Sequence, residues 1–405
     1  LSYFEQIKLP ENLIDSFSRL RVSSPVVQLS IVQNTAIRES IISEGEVSGT
    51  GTSSTYNLNR ASTVLRVGTT VGLRRLRTKQ AGLYQPGKSL LILFTFVLDT
   101  GTANVKKRVG YFDNSNGIFL QQNGTVLEWV LRSKVTGSVV ETAIAQTNWN
   151  TDKFDGTLNG YNLDVTKVHI GFINLEWLGV GDVACGFIKE MTPIVSHVFR
   201  HPNAISNVYM STANLFLQSE IERTVAGGTG TSNLEFICGS VINEGSIDEA
   251  GVTYTINRSA VYTTGPAFTV RPLMLIRLNP SYINARVFFT DISLSVSSNA
   301  DFLVYLIKQP TYSGTVTPNW TALTNSSIEY DINPTANINI TNADTNATWV
   351  GLGNQTNDIA TGAVNRNMYL GSNYLNEPEV WAVAIMCNSN AETVPLMTTK
   401  LIEQI

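Results

Sequence analysis

Short apolar runs separated by Gly, Asn, Asp, Ser and Thr repeat along most of this chain, and few of them carry helical spacing. The run Leu90-Leu91-Ile92-Leu93-Phe94-Thr95-Phe96-Val97-Leu98 is bulky and aromatic and closes on Asp99-Thr100-Gly101. Such a run predicts a buried strand ended by a turn. Arg108 to Asp113, Gly117 to Gln121 and Val126 to Arg132 predict three more strands. Between them, Asn114-Ser115-Asn116-Gly117 and Gln122-Asn123-Gly124-Thr125 predict hairpin turns, the second through its Asn-Gly pair. Val168 to Ile173 and Cys185 to Ile188 extend the series.

A second strand-rich zone opens with Ala267 to Leu278 and continues through Asp291 to Val296 and Phe302 to Ile307. Val380-Trp381-Ala382-Val383-Ala384-Ile385-Met386-Cys387 is apolar on both faces, which predicts a central strand. Asn, Thr and Gly dominate residues 333–373, predicting long surface loops there. Helix is confined to a short turn at Pro202 to Tyr209 or at Ser219 to Arg223. The expected fold class is therefore all-β, with tandem β-sandwich domains of jelly-roll type.

A chain of 405 residues accommodates two or more domains. The turn-rich stretch Ile242-Asn243-Glu244-Gly245-Ser246 predicts the boundary. Residues 1–27 are expected to form an extended N-terminal arm, 28–245 one β-sandwich and 246–405 a second. The arm is polar with single apolar anchors, Phe4, Leu13, Ile14, Phe17 and Leu20. It buries too little to fold alone, yet those side chains are poor ones to leave in water. An arm laid over its own domain, a neighbouring subunit or another protein follows.

Composition narrows the function classes. Charged residues make up 15% of the chain and hydrophobic ones 43%, so a large core is available without helix-rich composition. A net charge of −4 gives no general pull toward nucleic acid. The longest apolar run, Leu90 to Leu98, is too short to span a bilayer, and no membrane insertion is expected. The chain opens on Leu1 rather than Met, as a processed product or a piece of a longer chain would. Cys185, Cys238 and Cys387 are odd in number, far apart and in apolar contexts. They predict buried free thiols rather than a disulfide scaffold.

Candidate chemistry is sparse. Gly82-Leu83-Tyr84-Gln85-Pro86-Gly87-Lys88-Ser89 spells the phosphate-cradling loop G-x-x-x-x-G-K-S. That loop works only when it follows a strand and opens a helix. Here a strand is expected after Ser89, so the segment reads as a turn, and no cofactor is predicted. His197 and His201 stand four apart, but Pro202, Val195 and Val198 argue against a shared helix face, and no metal site is expected. Glu128, Asp155, Glu176 and Asp182 are the carboxylates a glycosidase would need, read here as surface or turn groups. Asp113-Asn114-Ser115-Asn116-Gly117 resembles the start of a calcium loop, but Gly124 stands where its last ligand should be. The basic runs Arg74-Arg75-Leu76-Arg77-Thr78-Lys79 and Lys106-Lys107-Arg108 predict an exposed face or a salt-bridged contact between subunits. Among the tryptophans, Trp349 lies in the Asn/Thr-rich zone and is the candidate for ligand contact.

An ordered set of blocks carries a resemblance. Asp15-Ser16-Phe17-Ser18-Arg19-Leu20-Arg21-Val22-Ser23 resembles the leader D-A-F-G-R-L-R-V-S of a family of virion structural proteins of tailed phages and large DNA viruses. Tyr84 to Ser89, Arg108 to Asp113, Asn116 to Phe119, Asn148 to Asn150, Asp152 to Gly156, Glu176 to Gly181 and Val208 to Thr212 are similar to its following blocks, in order. Arg271-Pro272-Leu273, Ile276-Arg277-Leu278 and Ile328-Glu329-Tyr330-Asp331 match its C-terminal half. Ser18 departs from the usual Gly, and Met397 to Ile402 departs from the usual aromatic closing strand. The resemblance implies a virion component and no known enzymatic activity, with a varying place on the particle. The expectation for this chain is a non-enzymatic structural protein at the particle surface, as a capsid-surface, decoration, fibre or spike component. Its partners would be copies of itself, expected as a trimer by analogy with viral fibres and spikes, and other virion proteins. Host attachment through a glycan or receptor is the alternative, and glycan depolymerisation a third.

Overall fold

The computed structural model describes residues 22–404 apart from 35, 38, 40, 229, 247–250, 297–299, 335–337 and 355–367. The expected arm anchors Phe4, Leu13, Ile14, Phe17 and Leu20 lie outside the described residues.

The chain is an all-β protein built from antiparallel strands. The first are β1 (Pro25–Val32), β2 (Ile42–Gly49), β3 (Thr52–Asn57), β4 (Ser62–Val67) and β5 (Gly72–Thr78). Next come β6 (Ser89–Val97), β7 (Val105–Phe112), β8 (Gly117–Asn123), β9 (Val126–Ser133) and β10 (Val140–Ala145). The first half closes with β11 (His169–Leu175), β12 (Val183–Lys189), β13 (Thr192–Phe199), β14 (Leu217–Arg223) and β15 (Ser232–Glu244). They form two sheets. One runs β13-β12-β11-β6-β15-β4-β3, with β1 also on β15; the other runs β10-β9-β8-β7-β14-β5-β2.

Alternation explains the layering. Along β6, Leu90, Ile92, Phe94 and Phe96 are fully buried while the residues between them are half-buried. They meet Val109, Tyr111, Ile118 and Leu120 of the second sheet in one continuous core. Trp129, Trp149, Phe154 and Phe187 pack in the same core, with ring centroids 5.0–6.3 Å apart. This is a β-sandwich.

The second half holds β16 (Gly251–Arg258), β17 (Tyr262–Thr263), β18 (Arg271–Leu278), β19 (Arg286–Ser295), β20 (Asp301–Lys308) and β21 (Thr321–Ala322). It continues with β22 (Ile328–Asp331), β23 (Ala347–Asn354), β24 (Tyr369–Leu370), β25 (Trp381–Cys387), β26 (Thr393–Val394) and β27 (Leu396–Gln404). Its main sheets run β16-β27-β19-β24 and β21-β22-β18-β25-β20-β23. Val287, Phe289 and Leu401 of the first face Ile276, Trp381, Val383 and Ile385 of the second in a separate core. Among the described residues, no strand of one half pairs with a strand of the other.

Several expectations match this arrangement. Ser89 begins a strand, the β7–β8 and β8–β9 hairpins close where predicted, and β25 is central. Others need correction. Ser219 to Arg223 is strand rather than helical turn, because Leu217 and Ile221 alternate into the core beside β5 and β7. Within the zone expected to be loop, Ala347–Asn354 is a strand pairing β20 along nearly its whole length. Trp349 therefore sits in a strand, opposite Leu306, and not in a loop.

Candidate functional site

The basic strand β5, expected as an exposed face or a salt-bridged contact between subunits, is buried within the chain. On its outward row, Arg75 and Arg77 are 3% and 0% exposed. Cross-strand register places Glu220 of β14 beside Arg75, and Arg108 of β7 beside Glu220. Arg75 Nη2 lies 3.0 Å from Glu220 Oε2, and Arg108 Nη1 lies 2.7 Å from Glu220 Oε1. The row continues as Arg108 Nε donates to Gln121 Oε1 at 2.7 Å, and Gln121 Nε2 to Glu128 Oε2 at 2.8 Å. Burial alone would raise the Glu220 carboxyl, but Arg75, Arg108 and Arg132 outweigh it and hold it at about 2. The other predicted basic run ends in this ladder through Arg108. Its neighbour Lys107 is also buried, donating to the Leu98 and Thr100 carbonyls.

What covers the free end of the row is the second half of the chain. Arg75 Nη1 donates to the Tyr374 carbonyl at 3.1 Å, and Arg77 Nη2 to Ser372 Oγ at 2.7 Å. Arg77 also donates to Asn376 Oδ1, and its guanidinium carbon lies 3.4 Å from the Phe216 ring centroid. Burial and then the Arg75 charge lower the Arg77 guanidinium. Ser372 N donates to the Lys79 carbonyl at 2.9 Å. Glu379, 1% exposed, is shared by Lys79 of the first half at 2.7 Å and Lys308 of the second at 2.8 Å. The segment between β24 and β25 is thus a clasp joining the two halves. Arg75, Arg77 and Lys79 of the basic run thus find their partners within one chain.

Beside the clasp the halves leave a polar cleft of about 700 Å³. The β7–β8 turn forms one wall. Asp113 Oδ1 accepts from Ser115 N and Asn116 N, both at 2.7 Å, which closes a hairpin turn. Asn116 is 2% exposed and ties this turn to the segment before β14, donating to Ser211 Oγ at 2.8 Å and accepting from Ser211 N at 3.0 Å. The opposite wall is the short 3-10 helix Pro280–Tyr282 and the residues after it, capped by Asn279, whose side chain accepts from Ser281 N. Asn284 bridges the walls, its Nδ2 donating to Asp113 Oδ2 at 2.9 Å and to the Asn214 carbonyl at 2.6 Å. Ser327, Glu403 and Gln404 complete the lining. Among the described residues, the buried Ser327 Oγ and Gln404 Oε1 have no hydrogen-bond partner. Tyr282, 57% exposed, stands at the cleft.

Of these cleft residues, the sequence points to the Asp113 to Gly117 turn and, within the block Val208 to Thr212, to Ser211 and Thr212, but to neither as part of a cleft. Their separation along the chain leaves no local signal.

The other predicted residues do not converge. Glu128 ends the buried ladder, Asp155 accepts from Thr157 within its own turn, Glu176 is exposed, and Asp182 accepts from His201 N at 3.0 Å. His201 stacks on Tyr209 with centroids 3.9 Å apart and lines a second cleft of about 570 Å³ with Phe199, Val140 and Ile205. His197 is buried against Phe199, and His169 contacts the Asp164 carbonyl at 2.7 Å. Among the described residues, no group of three or more His, Cys, Asp or Glu is placed to hold a metal ion. Cys185 and Cys387 are buried free thiols as expected, and Cys238 is half-buried. Lys88 Nζ, in the phosphate-loop look-alike, contacts Gln85 Oε1 at 2.9 Å and the Ser246 carbonyl, with β6 following directly.

No protein-family model matches the chain, and no curated protein matches it. Among solved structures the chain is similar to a legume lectin-like domain from Entamoeba histolytica (TM-score 0.31, 7% identity, 53% of this chain and 95% of that one). It is also similar to a β-glucanase of Bacillus licheniformis (TM-score 0.33, 8% identity, 55% and 99%). A mutant of HCR/D is similar over both halves (TM-score 0.34, 10% identity, 90% of this chain and 97% of that one).

Proposed function

We propose that this chain is a structural component of a virus particle that works through its surfaces and without catalytic turnover. One observation carries the reading: the sequence blocks that resemble virion structural proteins, far apart in the chain, are bonded to one another in the fold. Asn116 of one block holds Ser211 of another at 2.8 Å. Tyr84 of a third packs edge-on against Trp177 of a fourth at 5.7 Å, and its hydroxyl accepts from Leu178 N at 3.0 Å. An ordered set of motifs that builds one contiguous region is what a shared scaffold requires. The clasped halves suit a load-bearing part, since relative motion would break buried charge pairs.

In this reading the chain sits at the particle surface, associates with copies of itself, as a trimer, and contacts other virion proteins through the arm of residues 1–27. Mass spectrometry and cryo-EM of purified particles test it. The protein should be present at a fixed ratio to the major capsid protein after high-salt washing. A chain found only in infected-cell extract would sink the proposal. Light scattering on the full chain and on a form lacking residues 1–27 tests self-association, and a monomer at micromolar concentration would refute it.

A second reading, attachment to a glycan on the host surface, is favoured by the polar cleft where the halves meet. Its walls are amides and hydroxyls held in place by their own hydrogen bonds.

A further inference from the structure

We infer that the cleft between the two halves is a binding site for neutral oligosaccharide, with Tyr282 as its stacking surface and the groups around Ser327 and Gln404 as its hydrogen-bonding set. The inference deepens the attachment reading above and rests on it.

Four observations converge. The first is size and place: a cleft of about 700 Å³ at a junction of two packed bodies falls within the roughly 300–1,000 Å³ usual for small-ligand sites, which favour such junctions. The second is unfilled bonding capacity. Among the described residues, the hydroxyl of Ser327, 3% exposed, has no partner, and the buried Gln404 Oε1 likewise has none. Buried polar atoms are nearly always satisfied, so two orphans at one cleft leave bonding capacity that a water or a ligand hydroxyl takes up. Neighbouring Glu403 is already committed, accepting from Ser326 Oγ at 2.8 Å and from Ser327 N at 3.2 Å.

The third is an aromatic ring out of place. Tyr282 is 57% exposed in a 3-10 helix with no buried residues, so its ring contributes little to the core. The electron-rich face of such a ring attracts the polarised C–H face of a sugar. The fourth is charge. Among the described residues lining the cleft, Asp113 and Glu403 carry negative charge and Lys134 positive. A sialylated or phosphorylated ligand would meet more negative charge than positive, and a neutral sugar would not. Pro280, Ile283 and Ala285 supply too little apolar wall for a hydrophobic peptide.

Preorganisation completes the argument. Asn116 and Asn284 are bonded across the turn and the junction, so the wall forms without ordering costs at the moment of binding.

The test uses the full chain on an array of neutral oligosaccharides of hexoses and N-acetylhexosamines, with sialylated ones alongside. Calorimetry on a neutral array hit follows. Tyr282→Ala should weaken binding about tenfold, or 1.4 kcal/mol, with the thermal midpoint unchanged because the ring is exposed. Ser327→Ala should weaken it severalfold while leaving the fold as stable as before. Arg200→Ala, in the second cleft, should change nothing. Folded protein that binds no neutral oligosaccharide, affinity retained in both cleft variants, or preference for the sialylated set would overturn the inference. Particle-borne protein that binds none of these sugars overturns the site alone. Sugar binding by a protein that purified particles lack overturns the virion reading and keeps the site.

Discussion

Tyr374 fills the space that a side chain at Gly45 would need: a Cβ there would stand 2.1 Å from the ring's Cζ. Gly45 lies in the same cross-strand row as Arg75 and Glu220. The row is therefore charged through its middle and bare at its end, where the second half docks. Tyr374 is held in place by its backbone, its N–H donating to Ser43 Oγ and its carbonyl accepting from Arg75, both at 3.1 Å.

Gly45→Ala is accordingly expected to destabilise the protein by about 1–3 kcal/mol, the usual cost of overpacking a close contact. The double variant with Tyr374→Ala should recover part of that loss, measured as a coupling energy in denaturant unfolding. A neutral Gly45→Ala would show that the ring moves aside freely.

Acid sensitivity follows from Glu220. Its carboxyl is held at about 2 against an ordinary value of 4.5. The unfolded chain binds the proton more readily than the folded one, so the contribution of Glu220 is complete above pH 4.5 and lost as pH falls toward 2. Glu220→Gln should remove this component of the acid transition. It should also cost about 3–5 kcal/mol near neutrality, because Arg75 and Arg108 stay buried without their partner. Acid unfolding curves that superimpose for the two proteins would contradict this.

Glu379 offers a contrast between buried and exposed ion pairs. Glu379→Gln takes a shared partner from Lys79 and Lys308 and should lower stability by about 1.5–3 kcal/mol. Arg60→Ala breaks the pair with Glu235, where the Arg60 side chain is 49% exposed, and should cost under about 1 kcal/mol. Equal midpoints for these two variants in thermal unfolding would mean that the clasp is not held by its charges.

The segment Gly82 to Ser89 should bind no nucleotide. Titration with magnesium ATP or GTP in a calorimeter is expected to give no saturable heat, because a strand and not a helix N-terminus follows Ser89. Micromolar binding that disappears in Lys88→Ala would be the contrary result.

The strands were legible where local pattern decides them. The run from Leu90 to Val97 alternates with a bulky inward set, and Trp381 to Cys387 is apolar on both faces; both became strands of the predicted kind. The fate of Arg75 was not legible, because burial of a charge depends on register with another strand. One signal was present: Glu220 and Glu222 alternate along β14 as Arg75 and Arg77 do along β5, a complementary pair of strands. Trp349 lies among Asn and Thr residues that favour loop, but the β-branched and aromatic residues at 348–350 favour strand, and pairing with β20 decides for strand. The cleft was illegible for a simpler reason. Its walls come from the turn at 113–116, the segment at 211–214, the helix at 280–282 and the strand ending at 404, which only the tertiary fold brings together.

Strand β27 pairs with β16 from Gly251↔Gln404 and with β19 from Arg286↔Gln404, and so sits inside its sheet. During synthesis β16 and β19 must wait, unjoined, until β27 emerges between them. The lining residues Glu403 and Gln404 arrive with that same strand. A nascent or truncated chain lacking it would leave two sheet edges open to wrong partners and would carry no finished cleft. The order of synthesis thus sets the order of assembly: the cleft is completed only after the strands that β27 joins have been made.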